Sequence, residues 1–93
     1  MKKATPWDPT EYLETEEDIT AYLNAALEEN DEELLRAVLG DIARAKGMTK
    51  MARATGVTRD GLYKALSPEG NPSFVTVWKL LAALGMQLRV VPA

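Results

Sequence analysis

The stretch MARATGVTRDGLYKAL, Met51 to Leu66, places Ala52, Gly56, Leu62 and Ala65 at unequal intervals. Two short helices joined by a tight turn need that spacing. Thr49 reads as the cap of a helix over residues 50–55, which Gly56 stops, and Thr58 as the cap of the next, over residues 59–66. Helices that cross steeply bring their backbones close, so the first needs a small residue at the crossing, and Ala52 fits there. The turn needs a residue that tolerates positive φ, which Gly56 supplies. Leu62, with Ala65 and Leu66 below it, then plugs the second helix into the core. The segment predicts a helix-turn-helix. Arg59, Asp60, Tyr63, Lys64 and the cap Thr58 are left on the outer face, where a recognition helix would enter the major groove N-terminal end first.

On the N-terminal side, residues 2–14 contain two prolines and no sustained period, and read as an arm. Thr15 is an N-cap, with Glu16, Glu17 and Asp18 in the first turn where the helix dipole favours negative charge. Ile19, Tyr22, Leu23, Ala26 and Leu27 then fall on one face of a helix over about 16–28. Asn30 or Asp31 caps a second helix with the stripe Leu34, Leu35, Val38, Leu39 and Ile42. Arg44 and Lys46 form its basic end, Gly47 follows, and Gly40 inside it suggests a close crossing. On the C-terminal side, Ser67 to Pro72 is a cluster of loop residues. Ser73 caps a last helix carrying Phe74, Val77, Trp78, Leu81 and Leu84, closed by Gly85. Met86, Leu88 and Val90 alternate with Gln87, Arg89 and Val91, the period of a short strand. The expected fold is one all-α domain over 1–93 with about five helices. It divides into an arm (1–14), two acidic amphipathic helices (15–46), the helix-turn-helix region and last helix (47–85) and a C-terminal β-strand (86–91).

Composition narrows the chemistry. The 93 residues are 46% hydrophobic and 27% charged, enough for one small core. With no cysteine there is no disulfide, thiolate zinc site or cysteine nucleophile, and with no histidine the commonest metal ligand and general base is missing. Carboxylate pairs such as Glu28/Glu29 and Asp31/Glu32 sit at helix ends, where dipole and solubility explain them, and nothing resembles a phosphate loop, a triad or a metal cluster. These features predict no catalysis, no cofactor and no metal. No apolar run approaches the roughly 20 residues of a membrane span, and Met1-Lys2-Lys3 leads into Pro6-Trp7-Asp8-Pro9, so a soluble, cytoplasmic chain is expected.

The net charge of −3 conceals an asymmetry. Residues 1–46 carry five Lys/Arg against twelve Asp/Glu, a balance of −7, whereas residues 47–93 carry six against two, a balance of +4. The helix-turn-helix lies in the basic half, and Lys50 and Arg53 add cations on its first helix. Two short amphipathic helices also occur in bundles that touch no nucleic acid; the local cationic excess favours DNA. Arg59, near the N-terminal end, is expected to reach guanine O6 and N7, with Lys64 on the same outward side reaching a base or a phosphate. Thr58, Tyr63 and Lys50 are placed to hold the backbone.

The segments TGVTRDGLYKALSPEGNPSF and LGMQLRVVPA, with PWDPTEYLETEEDITAYLNAAL in the N-terminal half, resemble the addiction-module antidote proteins. These are HigA-like antitoxins with an Xre/Cro-type, lambda-repressor-like helix-turn-helix. The resemblance covers nearly the whole chain and implies an autorepressor that also neutralises a RelE/HigB-like toxin. In the broader fold the first residues of the second motif helix read the operator, here Thr58, Arg59, Asp60 and the later Lys64. Gly61 departs from a rigid recognition helix. An RNA-cleaving toxin is expected to be basic, so the acidic half, with Trp7, Tyr12 and Leu13 as anchors, offers it a surface. A solvated acidic face and a Trp7 folded onto its own core account for the same residues. Operator two-foldness and the unpaired strand, with Met86, Leu88 and Val90 on one side, predict a homodimer. A stand-alone phage-type repressor without a toxin is the alternative.

Overall fold

The computed structural model describes residues 13–93, so Trp7 and Tyr12 lie outside the described residues. Five helices follow one another: α1 (Glu16–Glu28), α2 (Glu32–Lys46), α3 (Met48–Thr55), α4 (Arg59–Ala65) and α5 (Phe74–Ala83). α1 packs on α2, and α3 packs on α2, α4 and α5, so α3 is the central element.

Capping chemistry sets the helix starts. The Thr15 hydroxyl accepts the Asp18 N–H at 3.0 Å while the Asp18 carboxylate accepts the Thr15 N–H at 3.2 Å, a reciprocal capping box. These hydrogen bonds, the one from the Thr15 backbone first, hold the Asp18 carboxyl below the usual aspartate range. Asp31, rather than Asn30, caps α2 by accepting from the N–H groups of Glu33 and Leu34. Asn30 instead takes the left-handed conformation at φ 55° in the link between α1 and α2. α3 starts earlier than its sequence suggests. Its N-cap is Gly47 with no side-chain bond, and Thr49 is an exposed first-turn residue. The longer helix brings Met48 into the buried face with Met51 and Ala52, at i, i+3 and i+4.

The core joins Ile19, Leu23 and Ala26 of α1 with Val38, Leu39 and Ile42 of α2. Met48, Met51 and Ala52 of α3, Leu62 of α4, and Leu80, Leu81 and Leu84 at the end join them, with Leu13, Ala43 and Leu66 in the same cluster. Leu27, expected on the inner stripe, is 51% exposed. A Cβ at Gly40 would lie 3.3 Å from the flexible end of the Arg44 side chain and 3.5 Å, an ordinary contact, from the Leu66 carbonyl oxygen, so the close crossing suggested by this glycine is not one that a methyl group would block. Between α1 and α2 the Tyr22 hydroxyl donates to Asp41 at 2.7 Å, and Arg44 pairs with the other Asp41 oxygen at 2.6 Å. Burial, with Asp41 as acceptor, pushes the Tyr22 phenol up to about 12.

Two expectations at the C-terminus are corrected. α5 buries Thr76, Leu80 and Leu81 and half-buries Val77, so Phe74 and Trp78 lie outside the core. α5 is apolar on nearly every side, and α3 covers only one of them. The strand over 86–91 is not formed, since the described residues contain no second strand for it to pair with. Met86 is instead half-buried against the core, its sulfur 3.2 Å from the Thr20 hydroxyl that donates to it, while Leu88 and Val90 are 44% and 97% exposed.

Candidate nucleic-acid interface

α3 and α4 are joined by Gly56-Val57-Thr58. Gly56 takes φ 77° at the C-cap of α3 and donates its N–H to the Ala52 carbonyl at 2.9 Å. A Cβ at 56 would meet nothing within 4 Å, so the backbone angle alone calls for glycine here. Ala52 is buried between the helices, and Thr55 is buried with its hydroxyl donating to the Met51 and Ala52 carbonyls. Leu62 is 0% exposed and is the buried residue of α4, with Ala65 half-buried and Leu66 buried just below. Of the four positions, Ala52 and Leu62 are buried, Ala65 is half-buried, and Gly56 takes the positive φ at the turn.

The outer face of α4 carries Arg59, Asp60, Tyr63 and Lys64, all exposed, with Thr58 at its N-cap. Thr58 uses its hydroxyl to accept the Gly61 N–H at 2.9 Å, and a Cβ at 61 would come to 2.9 Å of that same oxygen. Gly61 thus leaves room for the cap, which offsets part of its low helix propensity. The Arg59 guanidinium lies 5.6 Å from the centroid of the Tyr63 ring. Residues four apart share a face, whereas five apart are rotated by about 140°. Tyr63 is therefore the true neighbour of Arg59, and Lys64 flanks the face beside Asp60 rather than lying in line with Arg59. Lys50 and Arg53 are exposed on α3.

Two features beside this face are invisible to local sequence reading. Gly70 follows α4 in the loop, where a Cβ would overlap the carbonyl oxygens of Lys64 and Ala65. Arg36 of α2 donates to the Pro68 carbonyl at 2.7 Å and so ties the same loop to a helix 32 residues away in sequence. Arg36, Arg44, Tyr63 and Pro68 line a groove between α2 and the end of α4. Only the composition of 67–72 as a loop was legible.

The residues singled out for a toxin are not brought together: Trp7 and Tyr12 fall outside the described residues, and Leu13 is 5% exposed within the core. Acidic side chains at Glu28, Glu29, Asp31, Glu32 and Glu33 are exposed around the link between α1 and α2. Among the described residues no group of three or more potential ligands could hold a metal ion, and no helix is long and apolar enough to cross a membrane.

Comparison with known proteins adds a family. A family model described as "Probable addiction module antidote protein" matches residues 3–92. A protein of Haemophilus influenzae, described as uncharacterized, is 51% identical over 84 residues, covering 90% of this chain and 87% of its own. No solved structure matches the chain.

Proposed function

Because the chain belongs to the family of probable addiction module antidote proteins, whose role is that of an antitoxin, we propose that it works at two surfaces. It neutralises a RelE/HigB-like toxin by direct binding, and it represses its own operon by reading double-stranded operator DNA as a homodimer, both in the cytoplasm. The observation that carries the DNA half is the outer face of α4. A seven-residue helix held by one buried leucine turns Arg59, Tyr63 and Lys64 outward next to a helix bearing Lys50 and Arg53, in a protein whose other half is acidic. Arg59 reads base edges, Tyr63 orients it, and Lys50, Thr58 and Lys64 hold phosphates, with Asp60 screening the face against wrong partners. The toxin half is supported by the family and by the exposed acids at the link between α1 and α2, which complement an RNA-binding, basic partner.

The test is a set of binding titrations at several salt concentrations on the DNA upstream of the chain's own gene and on a scrambled duplex. Arg59→Ala is expected to cost about 1–3 kcal/mol per half-site and to relax base preference. Lys50→Ala should weaken both duplexes alike and flatten the salt dependence. Equal loss on the two duplexes for Arg59→Ala would make Arg59 a phosphate contact and move the reading face elsewhere. For the toxin, deletion of residues 1–12, which spares the core residue Leu13, is expected to impair neutralisation and leave operator binding intact. Full neutralisation by the truncated chain would place the contact on α1 and α2. The family match favours this reading over a stand-alone phage-type repressor.

A further inference from the structure

The apolar stripe of α1 runs on past the core it serves. Leu27 is 51% exposed, although it lies one helical turn beyond the buried Leu23. Leu27 and the half-buried Leu35 form the floor shared by two stretches of one groove between α1 and α2. Where the two helices are linked, the groove has a volume of about 790 Å³ and is lined by Glu29, Asp31, Glu32 and Glu33 and by no cation. At its other end lie Leu88 and Arg89 of the tail. Among the described residues none of the four acids is in an ion pair, so like charges crowd this end with no cation to offset them.

We propose that this groove seats a cationic amphipathic helix of the toxin, with aliphatic side chains on Leu27 and Leu35 and lysines or arginines over the acids. The inference deepens the antitoxin reading and rests on it for the existence of that partner. Charge selects the occupant. Four carboxylates repel the phosphates of DNA. A second copy of the chain, set across a two-fold axis, would bring carboxylates against carboxylates. A basic protein surface relieves the crowding and covers a leucine that the chain's own core leaves in water. Shape selects a helix. The walls of the groove are largely the side chains of α1 and α2, whose backbone groups are already paired, so they offer a strand edge nothing to bond. A helix satisfies its own backbone and fills such a groove with residues at i and i+4. Arg89 sets the direction, since it repels cations at the tail end and leaves the acidic end to them.

The test is calorimetric titration of the full chain with the purified product of the toxin gene beside its own. Leu27→Ala and Glu29→Lys should each raise the Kd at least ~10-fold. Helical circular dichroism should not change, because Leu27 is half in water and a lysine at the C-cap of α1 suits the helix dipole. Glu69→Lys makes the same change of net charge in the loop after α4 and should keep the Kd within about twofold. Added salt should shrink the Glu29→Lys defect and leave the Leu27→Ala defect standing. Among the toxin's exposed lysines and arginines, the change to glutamate that restores affinity for the Glu29→Lys chain is expected on a helix, and restoration from a strand or loop overturns the proposal. Wild-type affinity in both groove variants overturns it and leaves the antitoxin reading in place. So does an equal loss from Glu69→Lys, since the attraction would then be one of bulk charge. A chain without residues 1–12 that binds the toxin more tightly than the full chain would make those residues the occupant and overturn it too. A toxin that does not bind the wild-type chain brings down the antitoxin reading and this proposal with it.

Discussion

Replacing Leu62 by alanine tests the link between packing and the reading helix. Leu62 is fully buried and is the buried residue within the seven of α4. Removing three carbon groups from a fully buried leucine costs about 2.4 kcal/mol in transfer alone. The cavity that cannot collapse raises the loss to about 3–4 kcal/mol. A domain of this size has about 5–10 kcal/mol of stability by the usual per-residue scale, so the change removes a third or more of it. Urea unfolding followed by helical circular dichroism should show the midpoint falling with the slope unchanged. Lys64→Ala, two residues on and on the exposed side of the same helix, should stay within about 0.5 kcal/mol. A loss below about 1 kcal/mol for Leu62→Ala with an unchanged slope would mean that α4 does not hang on this plug. The packing account of the Ala52, Gly56, Leu62, Ala65 spacing would then be wrong.

Gly70→Ala should cost about 2 kcal/mol or more, because a methyl there overlaps two carbonyl oxygens at the end of α4 that cannot move without unwinding it; the same urea titration reads it. The raised Tyr22 phenol predicts an alkaline effect. Its contribution is whole below the ordinary tyrosine value of 10.0 and is lost as pH rises toward about 12, so the stability gap between wild type and Tyr22→Phe should close over that interval in chemical melts taken at stepped pH. Asp18 behaves oppositely: its folded carboxyl is depressed, so its contribution is present above the ordinary 3.8 and fades as pH falls below it. Asp18→Asn should therefore show a flatter acid limb, and an unchanged limb would deny the capping box a role. Thr58→Ala should destabilise by about 1 kcal/mol through the lost cap on the Gly61 N–H.

Short-range chemistry was the legible part of the sequence. Thr15, Asp31, Thr58 and Ser73 cap where their side chains can reach an N–H two or three residues on. Gly56 announces a turn because glycine tolerates positive φ at no steric cost. Thr49 misled for the same local reason: a good cap was available, yet burying Met48 outweighed it. The inner side of α5 was illegible because Phe74, Val75, Val77, Trp78, Leu80 and Leu81 ring the helix, and period cannot choose among apolar faces. The alternation of 86–91 reported extended backbone, while a strand also needs a neighbour, which lies beyond one chain's sequence. In the candidate interface, the identities of Arg59, Tyr63 and Lys64 as outward residues were readable from Leu62 alone. The Arg59–Tyr63 stack and the Arg36 tie to Pro68 depend on rotation about the helix and on a contact across the fold.

The single plug that fixes α4 has an evolutionary corollary. Positions 59, 60, 63 and 64 face solvent and owe little to the core, so they are free to drift while Leu62 stays put. On the proposed reading, a duplicated gene could acquire a new operator preference by a handful of changes on this one turn and a half of helix. The surface proposed to meet its toxin, in the acidic N-terminal half, would be left untouched. Sister modules in one genome would then be insulated from one another at their promoters before they diverged in what they neutralise.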